Sequence, residues 1–146
     1  GVDPACLELI AAEHREVPAH VRRMDAAAAF YKPTYSKIAT APTKLAEYLG
    51  CGVPCLGNIN VGDMAEILEG RRVGVAIQSF TPEGREDAVR RLLQVVADPQ
   101  TPARCVATAR ELFALEAGIE RYRAIYERLT QPSLQSTSAT QKQVGT

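Results

Sequence analysis

Charge of neither sign is in excess in this chain: 17 basic and 17 acidic side chains give a formal net charge of zero. A nucleic-acid-binding surface needs a net basic footprint, so no nucleic-acid partner is expected. Long apolar runs are missing too. None approaches the roughly 18 residues that a membrane-crossing helix needs. No charged segment followed by an apolar one opens the chain, so no secretory leader is expected in it. Histidine is limited to His14 and His20, both in polar surroundings. Of the four cysteines only Cys51 and Cys55 are close, and Cys-Gly-Val-Pro-Cys matches neither a zinc knuckle nor a redox Cys-x-x-Cys. No metal site is expected, and the thiols read as buried and reduced in a cytoplasmic protein. There is no internal repeat.

What is present suffices for one folded domain. The chain has 146 residues, 46% of them hydrophobic, enough to bury a core. It opens on Gly1, as a fragment or a processed chain would. Asp3-Pro4 reads as an N-cap and a first helical position, predicting a helix to about His14 with Leu7 and Ile10 inward. A second short helix is expected from Pro18, carrying Val21 and Met24. Ala26–Tyr31 is an uninterrupted apolar run, which suits a strand covered on both faces. Lys32–Ala41 reads as a loop. Pro42 opens a helix to about Leu49, ended by Gly50 and Gly52. Val53–Leu56 reads as a short buried strand and Gly57–Gly62 as a loop. Asp63 is placed to cap a helix over Ala65–Glu69. Val73–Ile77 reads as a strand. Pro82 starts a helix to about Ala97, with Ala88, Leu92, Val95 and Val96 on one face. Thr101-Pro102 starts another, carrying Val106, Ala109 and Leu112. A last helix spans about Glu116–Leu129.

Strands that alternate with helices imply parallel strands and helical crossovers. The expected fold is α/β: a Rossmann-like, three-layer α/β/α domain with a parallel sheet over residues 1–130. Three strands are few for such a sheet, so either the chain is truncated on its N-terminal side and lacks its first strand, or one strand escapes the pattern. Residues 131–146 are mostly Ser, Thr, Gln and Ala with little to bury, and read as a disordered tail.

The informative stretch is Ala39-Thr40-Ala41-Pro42-Thr43-Lys44-Leu45-Ala46-Glu47-Tyr48-Leu49-Gly50-Cys51-Gly52-Val53-Pro54. A helix that begins after a strand and loop presents unpaired N–H groups at the carboxyl edge of the sheet, where anions bind. Thr40 and Thr43 can add hydroxyl donors and Lys44 a charge. At 100° per residue, Leu45 and Leu49 face the sheet, while Lys44, Glu47 and Tyr48 point away. Glu47 sits roughly 6 Å along the axis from the helix start, and side chains lean towards the N-terminus. Its carboxylate could accept hydrogen bonds from a ribose diol whose diphosphate rests on the helix end. The competing reading is a solvated Lys44–Glu47 pair.

Pro42-Thr43-Lys44-Leu45-x-Glu47-Tyr48-Leu49-x-Cys51-Gly52-Val53-Pro54 resembles the donor-binding signature of group 1 (family 4) glycosyltransferases, commonly Pro-x-Lys-x-x-Glu-x-x-Ala-x-Gly-x-Pro. Asp25-Ala26-Ala27-Ala28, Gly62-Asp63 with Glu66, Gly74, and Tyr122 with Tyr126 resemble its flanks, so the similarity covers about Val17 to Leu129. The resemblance implies the C-terminal half of a two-Rossmann-domain (GT-B) enzyme that moves a glycosyl group from a nucleoside-diphosphate sugar, with retention and without a metal or other cofactor. It implies that Ala39, Thr40, Ala41, Thr43, Lys44 and Glu47 bind the donor: Glu47 the ribose hydroxyls, Ala41, Thr43 and Lys44 the pyrophosphate. It also implies a departure, since Ala39 stands where the family has a glutamate on the donor sugar. The partners it implies are the sugar nucleotide, an N-terminal acceptor domain missing here, and a glycan or lipid-linked acceptor. The intact enzyme would then be cytoplasmic and peripheral on the inner membrane face. No catalytic residue is assigned, and the chain alone is expected to be inactive.

Other residues have plainer readings beside functional ones. Lys32 and Lys37 could meet phosphates, but such lysines are usually solvated. Tyr31 and Tyr35 could stack on a ligand or simply pack. Asn58 and Asn60 face the expected cleft, yet Asn after a strand usually serves a turn. Arg71-Arg72 reads as a surface pair. Ile119, Tyr122, Ile125, Tyr126 and Leu129 read as core packing, and in an intact enzyme their helix could also brace the other domain. Two alternatives stay open: a non-catalytic Rossmann-like binding module, and a sugar-nucleotide epimerase fragment. A receiver domain would need an acidic cluster and a phospho-acceptor Asp, and an epimerase would need more acids and bases in the cleft.

Overall fold

The computed structural model describes residues 3–130, and the chain divides into two compact units, Gly1–Phe113 and Ala114–Thr146. The tail expected at 131–146 lies outside the described residues.

The first unit is α/β, built on an open parallel sheet. Its strands are β1 (Ala27–Ala28), β2 (Cys55–Asn58) and β3 (Gly74–Ile77), in the spatial order β1-β2-β3. Ala27 lies opposite Cys55, and Cys55–Asn58 run beside Gly74–Ile77. The crossovers are α2 (Thr43–Gly50) and α3 (Met64–Gly70). Leu45 and Leu49 of α2 and Met64, Ile67 and Leu68 of α3 share one buried cluster with Cys55. Both crossovers therefore lie on the same side, as successive parallel strands of one hand require. Alternate strand residues Leu56, Val75 and Ile77 pack instead with Ala88, Leu92 and Val95. These three belong to α4 (Pro82–Ala97), whose cap Thr81 accepts from the Gly84 N–H at 3.2 Å. Helix α5 (Thr101–Phe113) brings Cys105 and Ala109 onto α2 and the first cluster. Gly52, at φ 82°, ends the α2 turn in the left-handed backbone region that favours glycine.

Several expectations are corrected. Asp3 does cap a turn, accepting from Ala5 N at 3.0 Å, but the turn is a 3₁₀ piece, Pro4–Cys6, and no helix reaches His14. Leu7 and Ile10 are exposed. A short helix gains little unless its apolar side is buried against something. Helix α1 (Val17–Val21) forms because Val21 has such a surface, in Ala27 and Val53; Met24 stays exposed. The strand expected at Ala26–Tyr31 shrinks to β1 and is covered on one face only: Ala27 and Ala29 are buried, Ala28 and Phe30 exposed. Phe30 meets Phe80 edge to face, with centroids 5.8 Å apart. The strand expected at Val53–Leu56 lies two residues later, so Gly57 and Asn58 belong to β2 rather than to a loop. Asp63 occupies the N-cap position of α3 without a capping bond, because its φ −93°, ψ 9° is not the extended conformation a cap uses. In α5 the buried face is Thr101, Cys105, Thr108 and Ala109, leaving Val106 and Leu112 only half-buried.

The second unit contributes one described element, α6 (Leu115–Thr130), none of whose residues is buried. The core role read for Ile119, Tyr122, Ile125, Tyr126 and Leu129 is thus corrected. Within its own unit, α6 has no other described element to pack against.

Strand β3 sits at a sheet edge, and its outward backbone groups are paired by side chains. The Ala76 N–H donates to Glu69 Oε1 at 3.0 Å. The Ala76 carbonyl accepts from Arg91 Nη2 and Gln78 Nε2, both at 3.3 Å. Arg91 also donates to Glu69 at 2.8 Å and to Asp87 at 2.9 Å. Glu69 and Arg91 therefore stand where a fourth strand would pair, and they blunt the edge against another chain. Replacing Glu69 by Ala orphans the Ala76 N–H and should lower stability by about 1–2 kcal/mol. Urea unfolding checks it against Glu86→Ala, an exposed α4 site; equal losses would remove the edge-capping role.

Candidate functional site

The carboxyl ends of β1 and β2 are joined by one side chain. Asn58, 1% exposed, accepts the Tyr31 N–H on Oδ1 at 2.9 Å. Its Nδ2 donates to the Tyr31 carbonyl at 3.0 Å and to the Ile59 carbonyl at 2.9 Å. Asn58 thus continues the β1–β2 ladder by one rung after β1 has ended, and none of its donors is left for a ligand. Neither reading made of Asn58 holds: it lies at the end of β2, and its side chain pairs backbone across the β1–β2 ends rather than serving a turn or a ligand. The signal in the sequence is an Asn at the end of an apolar run.

Beyond this rung the two loops are stitched together. The Lys37 carbonyl accepts from both Thr40 N and Gly62 N, each at 3.1 Å. Gly62, at φ 45°, lies directly against the Thr40 carbonyl, where any Cβ would collide. Only glycine fits a left-handed backbone pressed on a neighbouring carbonyl. Because Gly62 follows β2 closely, this contact fixes Thr40, and hence the start of α2, near the carboxyl edge of the sheet.

Helix α2 begins with Pro42 in extended geometry (φ −70°, ψ 114°), and no side chain caps its first turn. The Leu45 N–H bonds back to the Pro42 carbonyl at 3.1 Å. The Thr43 and Lys44 amides have no partner among the described residues. These are the groups that can hold an anion, aided by the helix dipole. Leu45 and Leu49 are fully buried, while Ala39, Ala41, Thr43, Lys44 and Glu47 are exposed. Thr40 is half-buried and its hydroxyl donates to the Ser36 carbonyl at 3.1 Å, so it is not a free donor. Tyr48, expected to point away with Glu47, instead packs on the clusters of both α2 neighbours. At 300° from Leu45 it flanks the buried arc rather than opposing it. Burial, foremost, and the neighbouring Cys55 raise its phenol above the usual tyrosine range.

Elsewhere, Tyr31 is half-buried against the core, Tyr35 is 93% exposed and Lys32 is exposed. Arg71 makes a two-point bond to Glu111 at 2.8 and 2.6 Å, tying the end of α3 to α5. A cleft of about 250 Å³ opens at the amino edge, lined in part by Glu69, Arg72, Arg91, Asp98 and Arg104. Its charges are mutually engaged: Arg104 donates to Asp98 at 2.8 Å and to the Arg72 carbonyl at 3.2 Å. The Gln100 backbone N–H and then Arg104 hold the Asp98 carboxyl below the usual carboxylate range. This network braces the α4–α5 turn. Among the described residues no group of three or more His, Cys, Asp and Glu could hold a metal ion, and no helix is long and apolar enough to cross a membrane.

Comparison of the chain with protein-family models, with curated proteins and with solved structures gave no match. The class the fold defines is α/β with an open parallel sheet, compatible with a Rossmann-like fold.

Two outcomes are expected. Asn58→Ala should cost about 2–3 kcal/mol in denaturant unfolding, because it strips partners from the Tyr31 N–H and carbonyl together; a loss below half that would place the rung elsewhere. The four free cysteines should divide: Cys6 is exposed and Cys51 half-buried, while Cys55 and Cys105 are buried. Burial pushes the Cys55 thiol up to about 12 and the Cys105 thiol up to about 11. The folded state therefore holds protons that the unfolded chain gives up, and stability should fall as pH rises above about 9. Aromatic-disulfide titration should label Cys55 and Cys105 only as the chain unfolds; rapid labelling of the folded protein at all four would refute this.

Proposed function

We propose that this chain is the donor-binding half of a glycosyltransferase of the two-Rossmann-domain type, similar to group 1 (family 4), with its helices arranged in three layers about the sheet. The substrate class is a nucleoside-diphosphate sugar, and the activity is a retaining hexosyl transfer on the cytoplasmic side of a membrane. An N-terminal half would carry the glycan or lipid-linked acceptor.

The observation that carries this reading is the uncapped first turn of α2 at the carboxyl edge, with the Thr43 and Lys44 amides open. A diphosphate there would meet two N–H groups, the positive end of the helix dipole and the Lys44 ammonium. The same groups would stabilise the charge that develops on the leaving nucleoside diphosphate, so transfer needs no metal at this site. Glu47, one turn further on, would take the ribose diol. Ala39 can offer the donor sugar only a methyl group and backbone.

The test is a titration with uridine diphosphate, guanosine diphosphate and inorganic pyrophosphate, read by calorimetry and by amide chemical shifts. Nucleoside diphosphate should bind at about 0.1–1 mM, roughly −4 to −5.5 kcal/mol, and shift the Thr43 and Lys44 amides. Glu47→Ala should weaken nucleotide about tenfold and leave pyrophosphate unchanged. Nucleotide that moves neither amide at saturation would overturn the proposal.

A further inference from the structure

We propose that Gly62 is a positioning residue for the start of α2: it acts through the Thr40 carbonyl, and the open amides hold a diphosphate only while that contact is closed. The inference rests on the donor-binding reading above and names what governs that site from outside it.

The β2 side of the contact has no room to give. Val61, just before Gly62, is 1% exposed and shares the core cluster of Leu45 and Leu49. Met64, two residues after Gly62, is fully buried, and its N–H donates to the Val61 carbonyl at 3.1 Å. Gly62 therefore lies between two buried anchors. The opposite side is looser. Tyr35 and Ile38 are exposed, and Thr40 bonds within its own loop, to the Lys37 and Ser36 carbonyls. A Cβ at position 62 would collide with the Thr40 carbonyl oxygen, a backbone atom that no change of rotamer removes. Thr40 is then the partner that yields. Leu45, fully buried, anchors the rest of α2. The displacement falls between Thr40 and Leu45, on the segment that carries the Thr43 and Lys44 amides. Two amides grip one diphosphate only in a fixed mutual geometry, so moving them costs affinity. Linkage makes the effect reciprocal: a ligand that needs the closed contact also holds it closed.

Hydrogen exchange on the native chain, with and without uridine diphosphate or inorganic pyrophosphate, tests the reciprocal effect. The Thr40 and Gly62 amides both donate to the Lys37 carbonyl at 3.1 Å. Each should exchange about tenfold more slowly with ligand at ten times its Kd. The Gly84 amide, at the exposed cap of α4, should be unaffected. Gly62→Ala should weaken both ligands about tenfold, as for a site competent a tenth of the time. Gly62→Asn should weaken them as much: asparagine tolerates left-handed backbone, but its Cβ meets the same carbonyl. Gly70→Ala, where an added Cβ meets nothing within 4 Å, should bind like the native chain. Exchange at Thr40 and Gly62 that ignores saturating ligand overturns the proposal and leaves the donor-site reading standing, and this measurement decides even where Gly62→Ala fails to fold. Native affinity in either Gly62 variant does the same. A native chain that binds neither ligand removes the donor-site reading, and this proposal with it.

Discussion

A parallel sheet of three strands has two open edges and short ladders, and every backbone polar group that the ladders leave unpaired must find another partner. The first unit meets this constraint with side chains. Asn58 supplies the rung that β1 is too short to make. Glu69 and Arg91 supply, at Ala76, the donor and acceptor that a fourth strand would bring.

The same constraint shapes the surface where a ligand would arrive. Since Asn58 locks Tyr31 and Ile59, and Lys37 and Gly62 lock Thr40, the loops after β1 and β2 form one body. The start of α2 is carried by that body, so its open amides are held in place rather than merely exposed. The ionic network at the amino edge is the reverse case: Arg91 and Arg104 are already engaged with Asp87, Glu69 and Asp98 and with backbone carbonyls. Arginine there is structural cement, and arginine content alone is no guide to a binding face.

How much was legible in the residues varied with how local the deciding force was. Pro82 and Thr81 define the start of α4 within a few residues of chain, and Asp98 follows its end at Ala97. The burial of Leu45 and Leu49 and the exposure of Glu47 follow from helical period. The helix expected over Asp3–His14 had its cap and its proline but no surface to lie on, which no local pattern reports. Ala26–Tyr31 reads as doubly covered because every residue is apolar, yet cover depends on which helices reach the edge strand. Asp63 does not cap because its backbone is not extended, and Tyr48, 300° from Leu45, flanks the buried arc, so the helical period itself places it against the core. The exposure of the α2 start was legible; the commitment of the Thr40 hydroxyl to Ser36 was not, because it depends on how a loop without regular period folds back.

The sequence by itself determined the alternation of strands and helices, the parallel sheet that follows from it, and which arc of each helix is apolar, because period and turn chemistry act over a few neighbouring residues. Only the tertiary structure decided which backbone groups would lack a ladder partner, and so which polar side chains, Asn58, Glu69 and Arg91, had to be recruited to pair them. Those pairings join residues up to 27 positions apart, and no local pattern carries information across that distance until the strands have met.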